Sequence, residues 1–225
     1  MATTATQVFG GFDPDAIQFL ADLADNNERS WFQPRKADYE RLLKIPLEEL
    51  CVALDQRFRE RGIPLSADPA RSPFRIYRDV RFSKDKSPYK TNIGASFPYI
   101  DGHAEAGGYF HLSPGEIFAG GGMWHPDRER LAAWRALVDR GVGLEALDDP
   151  TFVATFGSVG GDALSRVPAG FARDHPRAEL LKLKDVTFGR RLSDAEATSA
   201  DLPDILADTY ASAVPVFRLL GGLSG

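Results

Sequence analysis

The chain has 225 residues, with 27 Lys and Arg against 32 Asp and Glu, which gives a net charge of −5 at pH 7 and a pI near 5.4. Because 43% of the residues are hydrophobic and 11% are aromatic, the composition excludes an intrinsically disordered chain. The acidic balance argues against a general nucleic-acid-binding protein, whose domain is usually basic. A single cysteine, Cys51, excludes an intramolecular disulfide and any zinc site built on a cysteine cluster.

The N-terminus and the hydropathy of the chain indicate where the protein is found. The first residues, MATTATQVFGG, lack both the basic and the apolar segment of a secretion signal. No window approaches the roughly 18 uninterrupted apolar residues of a membrane-spanning helix. We therefore expect a soluble, cytoplasmic protein with no membrane contact, in which residues 1–11 form a flexible N-terminal tail.

Helices are predicted in the N-terminal part of the chain. Asp13 and Pro14 combine an N-cap residue with a proline at the first helical position. Pro46 begins another helix, which ends at Gly62. Between Pro46 and Gly62, apolar residues recur at the spacing of one helical face. Cys51 is one of these apolar residues, so we expect its thiol in the core rather than at a reactive site.

Strands are predicted after Gly62, where the apolar spacing changes from helical to alternating. Residues 74–82 and 91–99 alternate in this way, so we expect them to pair as an antiparallel hairpin with a basic loop at its tip. Two further strands are predicted at 108–112 and 116–120, joined by the turn Ser113-Pro114-Gly115.

The order of these elements predicts the fold class. The last third contains short mixed elements and then a C-terminal helix over 201–220 that Pro215 is expected to kink or break. No linker or repeat divides the chain. We therefore expect one α+β domain over 12–220, in which an antiparallel sheet packs against N-terminal and C-terminal helices.

The segment 71–90, called the basic segment below, carries seven Lys or Arg and two Asp, a local charge of +5 in an acidic chain. Such a concentration of positive charge indicates that an anion is held there, since arginine binds phosphate and carboxylate with two parallel hydrogen bonds. The candidate anion-binding residues are Arg75, Arg78, Arg81, Lys84, Lys86, Tyr89 and Lys90. Asp79 and Asp85 are the candidate catalytic acid or base.

Arg78 is the most informative residue of the basic segment. The alternation over 74–82 places its side chain on the apolar face of the predicted strand. A guanidinium in that position is costly unless a carboxylate or an anionic ligand compensates its charge. Two explanations remain open: an ion pair with an acid from one of the helices, or contact with a ligand.

Three functions are compatible with the basic segment. The leading hypothesis is a small-molecule enzyme or binding protein for a ligand that bears phosphate or carboxylate. The alternative is a nucleic-acid-binding or protein-interaction module that uses the same loop as an electrostatic contact. In the third, the charges are purely structural and join the sheet to the helices. The sequence alone does not decide whether the protein is an enzyme.

Metal and cofactor sites are not predicted. His103 and Glu105 match two of the three ligands of a 2-His-1-carboxylate iron site, and His111, His125 or His175 could supply the third. They fall in a polar turn flanked by glycine, however, so we predict no metal. The triple glycine at 120–122 is followed by no Walker lysine and matches no dinucleotide fingerprint, so no cofactor is predicted.

Four stretches of the chain carry a family resemblance: FLADLADNNERSWFQPRKADYE, FRIYRDVRFSKDKSPYKTN, GGYFHLSPGEIFAGGGMWHPD and LSRVPAGFARDHPRAELLKLKD. They resemble DUF2461, a group of conserved hypothetical proteins. The resemblance extends from Phe12 to about Leu220 and is most specific in the basic segment. It implies a single α+β domain without assigning an activity. Members commonly have a lysine where this chain has Ala169, so a mechanism that needs a cation there is not expected.

Overall fold

A computed structural model describes residues 9–100 and 106–223 of the chain. Within these residues the α-helices are α1 (Pro14–Asp25), α2 (Arg29–Phe32), α3 (Lys36–Tyr39), α4 (Ile45–Arg61), α5 (Arg128–Arg140), α6 (Pro150–Phe156), α7 (Ala178–Lys182), α8 (Asp194–Ala197), α9 (Leu202–Ala211) and α10 (Val214–Gly221). The strands are β1 (Ile93–Pro98), β2 (Ala106–Ser113), β3 (Glu116–Met123) and β4 (Val186–Arg191). Gln33–Arg35 and Leu144–Asp148 are 3₁₀ turns, and Glu40–Lys44 is a π-helical turn that leads into α4.

The four strands form one antiparallel sheet in the order β1-β2-β3-β4. This confirms the predicted α+β class. β2 and β3 contain the strands predicted at 108–112 and 116–120, and Gly115 in the turn between them has a φ of 75°, a conformation that glycine adopts without steric cost. The fourth strand, β4, is contributed by a C-terminal segment whose sequence indicates only a short extended piece.

The first half of the predicted hairpin is different. Residues 74–82 do not form a regular strand, although the segment touches β1 where the Phe74 N–H bonds the Gly94 carbonyl at 2.9 Å. Ile76 is the buried apolar side chain of this segment, whereas Phe82 is 96% exposed. The apolar side chains of the segment are therefore not buried together as the face of a strand would be. The Asp79 carboxylate also accepts the Arg81 N–H at 3.2 Å, a local turn that competes with strand pairing.

The core lies between the helices and one face of the sheet, called the inner face below. Phe110 of β2 stacks on Phe12 with ring centroids 6.0 Å apart, and Phe97 of β1 meets Phe58 of α4 at 5.7 Å. Cys51 is fully buried in this core, as the helical spacing predicts. Helices α4 and α9 pack together, and Arg57 joins them through two bonds to Asp204, at 2.7 and 2.9 Å.

The N-terminal end of the domain differs in detail from the sequence pattern, and the C-terminal end agrees with it. Residues 1–8 of the predicted tail lie outside the described residues. Phe9, which the prediction assigns to the tail, is buried with its ring centroid 5.5 Å from that of Phe12. The C-terminal helix is broken, as predicted, into α9 and α10, with Pro215 in the first turn of α10. No helix within the described residues is long and apolar enough to span a lipid bilayer.

Candidate functional site

The end of the basic segment is attached to the helical layer by one side chain. Asn27, which follows α1, donates from Nδ2 to the Tyr89 carbonyl at 2.9 Å and accepts the Tyr89 N–H on Oδ1 at 3.0 Å. These two bonds replace those that a neighbouring strand would make. The Tyr89 ring is buried and stacks on Phe32, with centroids 4.1 Å apart. The loop therefore has a rigid anchor beside its charged residues.

An open cleft of about 290 Å³ lies beside this anchor. Its walls are mostly polar and supply a guanidinium, an ammonium group, hydroxyls and amides. Hydrogen-bond donors of this kind suit an anionic ligand. The lining residues are Ala24, Asn27, Arg78, Asp85, Ser87, Tyr89, Lys90, Thr91 and Asn92.

The guanidinium of Arg78 lines the cleft and forms an ion pair with Asp85 of the same loop. The side chain of Arg78 is 28% exposed and that of Asp85 is 58% exposed. The sequence predicts either a helical acid or a ligand as the partner of Arg78. The partner is instead a local acid, because the backbone turns at 83–88 and brings the two side chains together, with the Arg78 N–H bonded to the Pro88 carbonyl at 2.9 Å.

The two candidate acid or base residues are both held in their charged form. The Ser87 hydroxyl donates to Asp85 at 2.7 Å, and this bond, with the charge-assisted bond from Arg78, holds the pKa of Asp85 well below its usual range. Side-chain hydrogen bonds from Arg81 lower the pKa of Asp79. A carboxylate with a lowered pKa accepts hydrogen bonds but takes up a proton poorly near neutral pH, so this chemistry favours binding over proton transfer.

Lys90 is the second cation of the cleft. Burial, and then the charge of Arg75, lowers the pKa of its ammonium group. Its Nζ lies 5.1 Å from the centroid of the Phe74 ring, within the range of a cation–π contact. No carboxylate among the described residues forms an ion pair with Lys90. Its charge is therefore available to a ligand.

The structure divides the predicted anion-binding residues into two groups. Arg78, Tyr89 and Lys90 line the cleft together with Asp85. The other predicted residues lie outside it: Arg75, Asp79, Arg81, Lys84 and Lys86. Arg81 pairs with Asp79 near the loop tip, and Lys86 donates to the Val80 carbonyl at 2.9 Å.

The cleft also contains residues outside the predicted set, and two of them, Asn27 and Asn92, connect it to other parts of the fold. Asn27 belongs to the pair Asn26-Asn27, whose pattern indicates only the end of a helix. Asn92 follows the basic segment and gives no local signal. Its Nδ2 lies 3.4 Å from His111 Nδ1, so it connects the cleft to the sheet. Asn27 lies just after a helix end and far in sequence from the basic segment, so no sequence pattern predicts its contact with Tyr89.

The sheet face opposite the core, called the outer face below, begins next to Asn92. Tyr109 and His111 alternate with buried residues along β2, and Phe118 lies opposite His111 on β3. The Tyr109 hydroxyl lies 3.0 Å from His111 Nδ1, and His111 Nε2 lies 3.1 Å from the Ser113 hydroxyl. This pattern fits a neutral imidazole with its proton on Nε2, and burial lowers the His111 pKa.

Metal ligands do not assemble in the part of the chain that the structure describes, where no group of three His, Cys, Asp or Glu is close enough to hold an ion. His103 and Glu105, the two residues of the iron-like pattern, lie outside the described residues.

Comparison with known proteins identifies the family. The chain matches DUF2461, described as a conserved hypothetical protein, over residues 15–218. That range includes the cleft, the anchor at Asn27 and the outer face. No curated protein and no solved structure matches the chain. Because the family match covers most of the 225 residues, the chain belongs to the DUF2461 family.

Proposed function

We propose that the protein binds a small molecule bearing a phosphate or carboxylate group in the cleft at the end of the basic segment. One observation carries the proposal: Arg78 and Lys90 line the same open cleft, and Lys90 has no carboxylate partner among the described residues. Asp85 in the same cleft balances the charge of Arg78, so Lys90 supplies the net positive charge of the cleft. A charge in a concave surface attracts an anion more strongly than the same charge on a convex one.

The uncharged groups of the cleft support the same ligand class. Ser87 and Thr91 supply hydroxyls, and Asn92 supplies an amide. Neutral donors around a charged pair fix the orientation of a bound anion, which the cations alone do not. The anchor at Asn27 reduces the conformational entropy that the loop loses on binding. Arg75, Lys84 and Lys86 lie outside the cleft and raise the association rate through long-range attraction.

Asp85 acts in this proposal as an internal substitute for the ligand. Its carboxylate forms an ion pair with the guanidinium of Arg78 when no ligand is bound. Because the Asp85 side chain is more than half exposed, it remains hydrated when an incoming phosphate or carboxylate takes its place at Arg78. The ligand therefore competes for Arg78 with an exposed carboxylate, which Ser87 also holds by a hydrogen bond, rather than with a buried one.

Thermal unfolding with candidate ligands tests the proposal. The set comprises phosphate, sulfate, citrate, sugar phosphates and nucleotides. A ligand at 100 times its Kd stabilises the native state by about 2.7 kcal/mol, or about 5–11 °C for a chain of this size. We expect such a shift from one small anion in the wild type and in Arg71→Met, an exposed arginine of the basic segment outside the cleft. The shift should be lost in Arg78→Met. If Arg78→Met keeps the full shift, the proposal is wrong.

A second candidate rests on the loop tip. Phe82 is 96% exposed and lies beside Arg81, with the guanidinium carbon 5.9 Å from its ring. Lys84 and Lys86 are also exposed there. An aromatic ring among cations favours a nucleic-acid or protein partner. Salt separates the two functions, because several phosphate contacts give a steep loss of affinity with ionic strength and a single bound anion gives a shallow one.

A further inference from the structure

A cluster of aromatic rings lies on the outer face next to the cleft. Tyr109 and Phe118 have ring centroids 5.6 Å apart, and His111 stacks on Phe118 at 4.8 Å. Phe74 extends the cluster past β1, with its centroid 6.0 Å from that of Tyr109. These four residues are called the aromatic cluster below. The proposed function does not use their rings.

Glycines make room for this cluster. Gly94 of β1 lies opposite His111, and a Cβ at Gly94 would come within 2.8 Å of the Tyr109 hydroxyl. Gly120 of β3 lies opposite Tyr109 and pairs with Gly189 of β4. A side chain at Gly94 would therefore collide with Tyr109, and glycine at this position leaves the space that the Tyr109 ring occupies.

The aromatic cluster is open to solvent at one edge. Phe74 is 44% exposed, and the other three rings are half-buried. Among the described residues, none of the ring contacts of the cluster involves a helix, whereas Phe97 and Phe110 on the inner face meet rings from the helical layer. Phe74 is therefore the ring of the cluster that a ligand can reach from solvent.

The cleft and the aromatic cluster share two residues. Lys90 lines the cleft and holds its ammonium group over the Phe74 ring, and Asn92 lines the cleft and contacts His111. An anion bound at Arg78 and Lys90 is thus next to Phe74. Arg191, opposite Phe118 on β4, adds an exposed cation at the far side of the cluster. Both ends of the aromatic cluster are therefore positively charged.

We infer that the ligand is a free nucleoside monophosphate, with its phosphate in the cleft and its base stacked on the exposed ring of Phe74. The inference rests on the proposed function, because it requires the cleft to hold the phosphate. A flat heterocyclic ring joined to a phosphate matches the order of features along the surface: the cations of the cleft, then the exposed Phe74 ring at the edge of the aromatic cluster. Stacking of a base on an aromatic side chain increases affinity by about tenfold or more.

Calorimetric titration tests the base and the phosphate separately. The probes are AMP, CMP, ribose 5-phosphate and inorganic phosphate. We expect at least one nucleotide to bind about tenfold more tightly than ribose 5-phosphate. In Phe74→Leu this advantage should disappear, whereas ribose 5-phosphate should still bind, with at most a small loss of affinity from the lost contact of Lys90 with the Phe74 ring. Phe82→Leu makes the same change at an exposed ring outside the cluster and should keep the advantage.

The outcomes distinguish the two proposals. Equal affinity for nucleotides and ribose 5-phosphate overturns the inference and leaves the proposed function standing. An unchanged nucleotide advantage in Phe74→Leu also overturns it. If no probe that contains phosphate binds, both the inference and the proposal that the cleft binds a phosphate group are wrong. A short single-stranded oligonucleotide that binds at least about tenfold more tightly than the mononucleotides would overturn the free nucleotide as the occupant.

Discussion

Asn27 and Tyr89 are 62 positions apart and share two hydrogen bonds, one in each direction, between the amide of Asn27 and the backbone of Tyr89. The Asn27 side chain thus makes the pair of backbone hydrogen bonds that a neighbouring strand would make at the end of the basic segment. This contact holds one wall of the cleft against the helical layer, so the position of Lys90 depends on a residue at the end of α1.

Removing the Asn27 amide should destabilise the fold and weaken ligand binding. In Asn27→Ala the backbone N–H and carbonyl of a buried tyrosine lose their partners, which costs about 1–3 kcal/mol. Urea unfolding measures that loss. Asn26→Ala is the matched control, because Asn26 is exposed and bonds only within its own helix end. Equal stability of the two variants would show that the Asn27 contact contributes nothing.

Replacing Asp85 should strengthen binding. Asp85→Asn removes the carboxylate that competes with a ligand for Arg78, so the affinity for the anion should rise by up to about fivefold, the scale of an exposed ion pair. Calorimetric titration with the best-binding anion measures the change. Asp79→Asn is the control, since Asp79 pairs with Arg81 outside the cleft. A fall in affinity in Asp85→Asn would mean that this carboxylate orients Arg78 for the ligand.

His111 should make stability depend on pH in the mildly acidic range. Burial lowers its folded-state pKa below the usual 6.5, so below pH 6.5 the unfolded chain takes up a proton that the folded protein does not. Stability should therefore fall as the pH drops below about 6.5 and level off below the folded pKa. Denaturant unfolding between pH 8 and pH 5 should show this slope, and His111→Gln should flatten it. An identical slope in the variant would place the titration elsewhere.

Asp204 should control stability at lower pH. Its carboxylate bonds Arg57 and Arg61 of α4, and the bond from Arg57 is the main cause of its lowered pKa. The stabilisation is present above the usual aspartate range and is lost as the pH falls through the folded pKa. Because Asp204 is 45% exposed, Asp204→Asn should cost only about 0.5–1 kcal/mol at pH 7.

The control for Asp204 is a neighbour on the same helix. Asp208 pairs with Arg61 but is more exposed, so Asp208→Asn should cost less at pH 7. The difference between wild type and Asp204→Asn should shrink as the pH falls below the usual aspartate range and the carboxylate becomes protonated in the wild type as well. A difference that does not change with pH would assign the loss to packing rather than to charge.

The parts of the fold that could be predicted are those with local causes. Asp13 and Pro14 begin α1 where the sequence places its start, and α4 ends at Gly62 in a left-handed conformation. Alternation of apolar residues over 91–99 located β1, and the predicted turn Ser113-Pro114-Gly115 separates β2 from β3. In each case the signal and the structure lie within a few residues of each other. The segment 74–82 shows where such local prediction fails. Its apolar residues alternate in the sequence, but Ile76 is the buried one among them and no regular strand forms.

The sequence by itself determined the α+β class, the helix boundaries set by proline, glycine and capping residues, and the concentration of positive charge in the basic segment. The tertiary structure alone decided which of those charges share a surface. Arg78 and Lys90 line the cleft while Arg75, Lys84 and Lys86 do not. The reason is physical: hydrogen bonding within a helix or turn depends on neighbours in sequence, whereas the cleft depends on the contact of Asn27 with Tyr89 and of Asn92 with His111, which only the packed chain brings together.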